Sequence, residues 1–131
     1  MLTSIVTRMQ AHIDRIQDGL ARADIVLTTG GTSMGASDLL KPVIENHLKG
    51  KVHFGRVTIK PGKPTTFATV PVKSVDSGQE VLKPIFGLPG NPASALVCFY
   101  IFVVPALRRM GGWKDTECQL PRVRVQVSKI K

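Results

Sequence analysis

The stretch "DIVLTTGG", residues 24–31, joins a short apolar run rich in β-branched residues to a glycine pair that ends it. A run of this kind is typical of a strand buried on both faces of a sheet. The stretch "KPIFGLPGNP", residues 83–92, repeats the pattern, and its Asn91-Pro92 pair predicts the N-cap and first residue of a helix. Strand–turn–helix units with buried strands predict a three-layer α/β/α fold with a mostly parallel sheet. In such sheets ligands bind at the carboxyl ends of the strands, so the turns after 24–29 and 84–88 are the expected site.

The remaining segments supply helices and strands around these two units. Residues 5–20 carry apolar side chains at spacings of three and four, which predicts an amphipathic helix with Ile5, Met9, Ile13, Ile16 and Leu20 on one face. A second helix is expected to begin near Leu40, because a proline at position 42 is tolerated only in a first turn. Strands are predicted over 51–59 and 65–70, and a turn-rich surface excursion, such as a hairpin, over 71–83.

The helix that begins at Pro92 is apolar on nearly all sides, which indicates a buried position or a subunit interface. Pro105 is expected to kink it, and Gly111-Gly112 to end it. Beyond it, "RVRVQV", residues 122–127, alternates apolar and polar residues as a half-buried antiparallel strand does. We therefore expect an α/β domain over 1–115, incomplete at its N-terminus, and over 116–131 a linker and the first strand of a β module.

Composition indicates a globular protein with a preference for anions. The 131 residues are 43% hydrophobic and 21% charged, and 18 Lys and Arg against 9 Asp and Glu give a net charge of +9. The basic residues are dispersed, and few aromatic side chains accompany them, so nucleic acid is not an expected partner. No secretion signal opens the chain, and the apolar stretch 93–107 is shorter than the roughly 20 residues of a membrane span, so a cytoplasmic protein without membrane insertion is expected.

The two cysteines, Cys98 and Cys118, are too few for a disulfide framework or a zinc site. Cys98 lies within an apolar run, where a cysteine usually acts as a small buried hydrophobic residue.

The glycine-rich turn after the first strand permits two chemical interpretations. Ser33 stands in a G-x-S-x-G pattern, as a hydrolase nucleophile does, but the histidines that follow it, His47 and His53, come too soon in the chain for a catalytic triad. Ala36 occupies the lysine position of the G-x-x-x-x-G-K-[ST] phosphate loop, which excludes that motif. The turn is therefore interpreted as an anion-binding concavity.

The donors of that concavity are main-chain N–H groups and hydroxyls, contributed by Gly30, Gly31, Thr32 and Ser33. Lys60 and Lys63 flank a proline-stiffened turn, "KPGKP", and we expect them to face the glycine turn across a positively charged cleft.

Three motifs in register give the chain a family resemblance. They are "GGTSMGASD" (30–38), "IKPGKPTTFA" (59–68) and "FGLPGNPASA" (86–95). In this order they resemble the molybdenum-insertion domain of the MoeA and gephyrin E-domain family, the molybdopterin molybdenumtransferases of molybdenum-cofactor biosynthesis. The resemblance extends over 24–113, and "LVCFYIFVVPALRRMGGW" (96–113) is similar to eukaryotic, plant-like members. Against that family the chain is partial.

The resemblance implies a MogA-like molybdopterin-binding α/β fold and assigns roles to individual residues. The glycine loop binds the phosphate region of the pterin, with Gly30, Gly31, Ser33, Gly35 and Asp38 at the motif positions. Asp38 is a carboxylate tied to activity and the expected Mg²⁺ ligand. Arg56 and Lys60, with Lys63, suit an oxyanion such as molybdate or a phosphate. The turn formed by Pro89, Gly90 and Asn91, with Ser94 after it, completes the anion-binding edge.

The resemblance also implies a reaction and partners. Molybdate is inserted into adenylylated molybdopterin with release of AMP, assisted by Mg²⁺, in a homodimer served by a fused or separate adenylyltransferase domain. The alternative is a gephyrin-like scaffold that clusters receptors and is catalytically inert.

Overall fold

The computed structural model describes residues 2–30 and 39–124, with side chains from residue 7 onward. The strands are β1 (Val26–Thr29), β2 (Lys51–Phe54), β3 (Thr66–Lys73) and β4 (Glu80–Leu88). The helices are α1 (Leu2–Arg22), α2 (Leu40–Pro42) with the π-helical turn Val43–His47, α3 (Pro92–Cys98), the π-helical turn Phe99–Val103, α4 (Val104–Met110) and α5 (Asp115–Cys118). By its contacts the chain forms two compact units, Met1–Cys98 and Phe99–Lys131.

The four strands form one sheet in the order β1-β4-β3-β2. β1 is parallel to β4, whereas β3 is antiparallel to both β4 and β2. The predicted α/β class is confirmed, but the prediction of a mostly parallel sheet is wrong. Only residues 74–79 separate β3 from β4, and a parallel pair needs a much longer crossover. The turn-rich surface segment predicted over 71–83 forms the end of this hairpin. Its first and last residues belong to β3 and β4, and residues 74–79 form the turn.

One face of the sheet packs against α1 and the turn that follows α2. Ile13, Ile16 and Leu20 of α1 are buried, which confirms the predicted amphipathic face. Lys83 Nζ, on β4, donates hydrogen bonds to the carbonyl oxygens of Leu20 at 2.8 Å and Ala23 at 3.0 Å, where α1 ends and its last carbonyls lack helical partners. The core cluster consists of Ile13, Ile16, Leu20, Leu40, Val43, Ile44, Leu48, Ala68, Val70 and Ile85.

Aromatic rings stack across three strands of the sheet. Phe67 on β3 lies 4.7 Å from Phe86 and 5.0 Å from the His53 ring, measured between ring centroids. His53 Nε2 also lies 2.9 Å from Thr69 Oγ1. His53 is therefore an exposed strand residue with structural contacts, in agreement with the interpretation that set it aside as a triad member.

β2 is shorter than predicted. The strand expected over 51–59 ends at Phe54, where the pairing with β3 becomes irregular, and residues 56–64 leave the sheet as a loop. The helix expected from Leu40 begins at that residue, but only Leu40–Pro42 is α-helical before the π-helical turn. Residues predicted as strand in 56–59 are therefore available to line a cavity.

The unit Phe99–Lys131 contains α4 and α5. Gly111 and Gly112 end α4 as predicted: Gly111 N donates to Leu107 O at 2.9 Å, and Gly112 has a φ of 83°. The guanidinium of Arg108 lies 4.9 Å from the Trp113 ring centroid, within the range of a cation–π contact. The strand predicted near the C-terminus falls mostly in 125–131, outside the described residues, so it stays a prediction, as does the domain boundary at 115.

The helical residues Pro92–Met110 have a mean hydropathy of 1.5 and, by length and composition alone, meet the requirement for a membrane span. A core helix of a soluble protein meets the same requirement. Among the described residues 11% of its apolar window is buried, and the prediction of an interior or interface position for this helix stays a prediction. The exposed apolar side chains are Leu96, Val97, Tyr100, Leu107 and Met110.

Candidate functional site

Gly30, the first residue after β1, lies beside Gly90 in the turn after β4. Gly30 N donates a hydrogen bond to Leu88 O at 3.1 Å. A Cβ placed on Gly90 would lie 3.5 Å from Gly30 Cα, so the two main chains are nearly in contact. β1 and β4 are parallel neighbours, and their carboxyl ends therefore reach the same edge of the sheet. Residues 31–38, the rest of the turn after β1, lie outside the described residues, so the expectation that these two turns form the site stays a prediction.

Asn91 connects this edge to the start of α3. Its Oδ1 accepts hydrogen bonds from Ser94 N at 3.1 Å and Ser94 Oγ at 3.4 Å, the arrangement of a helix N-cap. Pro92 is the first residue of α3. The predicted cap is confirmed, and it fixes Ser94 one turn beyond Pro89 and Gly90.

Ser94 forms one wall of an open cavity of about 970 Å³, and residues 56–64 form the rest. Arg56, Lys60 and Lys63 are all exposed members of this wall. Across the described ranges 2–30 and 39–124, no salt bridge involves any of the three. Their positive charge is thus uncompensated there, and a cavity lined by uncompensated cations favours anionic ligands.

The 56–64 loop is held from its buried side. Gly62, with a φ of 122°, turns its carbonyl oxygen toward Thr65, which donates to it from N at 3.2 Å and from Oγ1 at 2.7 Å. Val57 N donates to Lys63 O at 2.9 Å and closes the loop. The Lys60–Pro61 peptide bond is cis. These contacts give the basic loop a defined backbone.

Thr65 is the residue of this region that the sequence analysis missed. It is fully buried, and its Oγ1 lies 3.1 Å from Cys98 Sγ. The sequence offered one signal for it: a hydroxyl residue stands directly after "KPGKP" and before an apolar strand. A hydroxyl buried at such a position must have a hydrogen-bond partner, so a contact with the loop could have been predicted. Cys98 is fully buried, as predicted.

Gly30 lines a different and smaller cavity of about 280 Å³, together with β1 and with His12 and Arg15 of α1. Thr28 Oγ1, on the same strand, is buried and has no hydrogen-bond partner among the residues that the structure describes. The described part of the chain therefore brings Arg56, Lys60, Lys63 and Ser94 into one cavity, while Gly30 lies in the wall of another.

Five predicted site residues lie in 31–38, outside the described residues. These are Gly31, Thr32, Ser33, Gly35 and Asp38. Their assigned roles, including Asp38 as a Mg²⁺ ligand, stay predictions. Within 2–30 and 39–124 no cluster of three or more His, Cys, Asp or Glu side chains is present.

Comparison with known proteins identifies the family. Residues 5–109 match the family model described as "Probable molybdopterin binding domain". The chain is 46% identical to gephyrin of Dictyostelium discoideum over 87% of its own length and 17% of that protein. It is 44% identical to molybdenum cofactor synthesis protein cinnamon of Drosophila melanogaster, over 79% of the chain and 16% of the relative.

A bacterial relative belongs to the same set. Molybdopterin molybdenumtransferase of Nostoc sp. is 41% identical over 76% of the chain and 21% of its own length. The chain thus spans only 16% to 21% of the length of these three relatives. With most of its residues matched by the family model, the chain belongs to the molybdopterin-binding domain family that includes MoeA and gephyrin.

Proposed function

We propose that the chain is the molybdopterin-binding part of a molybdopterin molybdenumtransferase, which inserts molybdate into adenylylated molybdopterin with release of AMP. The observation that carries this proposal is the cavity that Ser94 lines together with Arg56, Lys60 and Lys63, none of which forms a salt bridge within the described residues. The relatives named molybdopterin molybdenumtransferase support it.

The proposed contribution of the basic loop is electrostatic. Molybdate and the phosphate groups of adenylylated molybdopterin are both anions, so bringing them together meets Coulomb repulsion that fixed cations offset. Arg56 offers a planar fork of donors that matches a tetrahedral oxyanion, whereas Lys60 and Lys63 act as point charges on flexible stems. Held in one wall, the three would orient the two reactants and lower the entropic cost of their encounter.

The remaining predicted residues are assigned to the phosphate end of the pterin. Gly30 and the Pro89–Asn91 turn lie together at the carboxyl ends of β1 and β4, where we assign the phosphate. The Gly30 N–H, which the sequence predicted as an anion donor, is bonded to Leu88 O instead. We include Ser33 and Asp38 in the proposal on the family motif alone. A Mg²⁺ ion held through Asp38 would take its other ligands from phosphate oxygens and water, since Mg²⁺ prefers oxygen donors and retains water.

The whole reaction is proposed for the longer protein. Because the chain covers about one fifth of the molybdenumtransferase of Nostoc sp., other regions of such a protein would complete the cleft. The homodimer, the adenylyltransferase partner and the cytoplasmic location belong to this proposal. The relatives named for molybdenum cofactor synthesis favour it over the inert scaffold.

Titration of this chain with molybdopterin tests the proposal. Parent protein and Lys73→Ala, whose lysine ends β3 away from the basic cavity, are expected to bind with equal affinity. Lys60→Ala should bind about tenfold more weakly, because it removes one charge-assisted contact. Absence of binding by the parent, or equal binding by Lys60→Ala, would contradict the proposal.

A further inference from the structure

The carbonyl oxygen of Gly62 connects the basic loop, residues 56–64, to buried side chains. Thr65 donates to it twice, from N at 3.2 Å and from Oγ1 at 2.7 Å, and the Cys98 thiol lies within 3.8 Å. Thr65 and Cys98 are completely buried, and neither lines the cavity. The negative end of this peptide dipole is therefore held away from the cavity.

The opposite end of the same peptide group follows from planarity. The Gly62–Lys63 bond is trans, so its N–H is antiparallel to its C=O and points away from Thr65 and Cys98. Gly62 and Lys63 both line the cavity. The Lys63 main-chain N–H is accordingly on the side of the loop that faces the cavity, where an anion would sit.

The contact between Thr65 and Cys98 also joins the basic loop to α3, the helix that contributes Ser94 to the cavity. Cys98 follows Ser94 by four residues in α3, which places both side chains on one face of the helix. Thr65 Oγ1 lies 3.1 Å from Cys98 Sγ, so the same hydroxyl that orients the Gly62 carbonyl also contacts the helix that carries Ser94. A shift of the loop relative to Ser94 would break this contact.

We infer that Thr65, acting with Cys98, is a positioning residue that directs the Lys63 main-chain N–H at a tetrahedral dianion and sets the distance between the basic loop and Ser94. The inference rests on the proposed function, in which that dianion is molybdate or the phosphate monoester of molybdopterin. Main-chain amides and cations arranged in this way bind both groups by the same chemistry.

The experiment compares four proteins: the parent, Thr65→Val, Thr65→Ser and the control Thr69→Val, whose threonine on β3 contacts His53 instead. Each is titrated separately with molybdopterin and with molybdate alone, and its urea unfolding is measured in parallel. Thr65→Val keeps the side-chain shape but lacks the hydroxyl, so we expect about tenfold weaker binding of the folded protein. Thr65→Ser should stay within about twofold of the parent, and Thr69→Val should match it.

The two titrations identify the dianion. If Thr65→Val binds only molybdopterin more weakly, the dianion is the phosphate of the pterin; if it binds only molybdate more weakly, the dianion is molybdate. A Thr65→Val protein that is less stable but binds both ligands as the parent does would overturn the inference. If the parent binds neither ligand, the proposed function fails, and hydrogen exchange of the Val57 amide, which donates to Lys63 O, decides the positioning role. Faster exchange in Thr65→Val than in Thr65→Ser supports the inference, and equal exchange rejects it.

Discussion

The two connections of β3 differ in how deeply they are held. Before the strand, residues 56–64 are anchored by Thr65, which is fully buried. After the strand, residues 74–79 form an exposed turn in which Val75 is 96% exposed. Each contains a glycine at positive φ, 122° for Gly62 and 65° for Gly78. The comparison teaches that a loop whose backbone is bonded into the interior can line a cavity with a defined shape, whereas the exposed turn reverses the chain.

The largest difference is expected from alanine at the two glycines. A Cβ on Gly62 would overlap Cys98 Sγ and lie 3.0 Å from Ile59 Cδ1, whereas one on Gly78 meets nothing within 4 Å. Gly62→Ala should lower the free energy of unfolding by about 3 kcal/mol, from overpacking and backbone strain together. Gly78→Ala carries backbone strain alone and should lose about 1 kcal/mol. Urea unfolding measures both, and equal losses would contradict the comparison.

A smaller difference is expected from the two hydroxyls that stabilise the connections. Thr65→Val leaves the Gly62 carbonyl without its shortest donor and should cost about 1–2 kcal/mol of unfolding free energy. Ser74→Ala removes an exposed 3.4 Å contact with Ser77 N and should cost less than about 0.5 kcal/mol. Thermal unfolding of Thr65→Val, Ser74→Ala and the parent measures both losses. A larger loss of stability in Ser74→Ala than in Thr65→Val would contradict this expectation.

Lys60, in the loop before β3, and Lys73, the last residue of β3, should respond differently to salt. Lys60 lies in a wall that contains two further cations, so molybdopterin binding should weaken as ionic strength rises from about 0.05 to 0.3 M, a range over which exposed charges become screened. Lys60→Met should bind more weakly and show a shallower salt dependence, while Lys73→Met should reproduce the parent curve. If molybdopterin affinity falls equally steeply with ionic strength in the parent and in Lys60→Met, Lys60 does not contact the ligand.

The smallest effect is expected from lengthening the exposed turn. Inserting Gly-Ser between Asp76 and Ser77 adds little loop-closure entropy, and we expect a loss of less than about 1 kcal/mol in the free energy of unfolding. Molybdopterin affinity should be unchanged. A loss of binding in this variant, measured by the same titration, would show that the turn takes part in the site.

Much of the local structure was predictable because it depends on nearby residues. The spacing of Ile13, Ile16 and Leu20 predicted the buried face of α1, and the Asn91-Pro92 pair predicted the start of α3. Strand direction was not predictable from apolar content, since parallel and antiparallel buried strands have similar compositions. The length of the β3–β4 connection, not the character of the strands, made that pair antiparallel.

The candidate site divides in the same way. Lys60 and Lys63 were predicted to face an anion because they flank a stiff, proline-containing turn, and Arg56 because of the family resemblance. The structure places all three in the lining of one cavity, and their role as anion ligands stays a prediction. Thr65 was not predictable as their anchor, because its partner Cys98 is 33 positions away in the chain. Nor did the sequence predict that Gly30 would line a separate cavity beside His12 and Arg15.

By itself, then, the sequence determined the α/β class, the helix caps, the positive charge of the 56–64 loop and the family motifs, since each depends on residue type and short spacing. Only the tertiary structure decided the mixed sheet, the contact between Gly30 and Gly90, and the buried anchor of the basic loop. Those features join residues that are distant along the chain, and side-chain packing and main-chain hydrogen bonds select them only when the whole unit has folded.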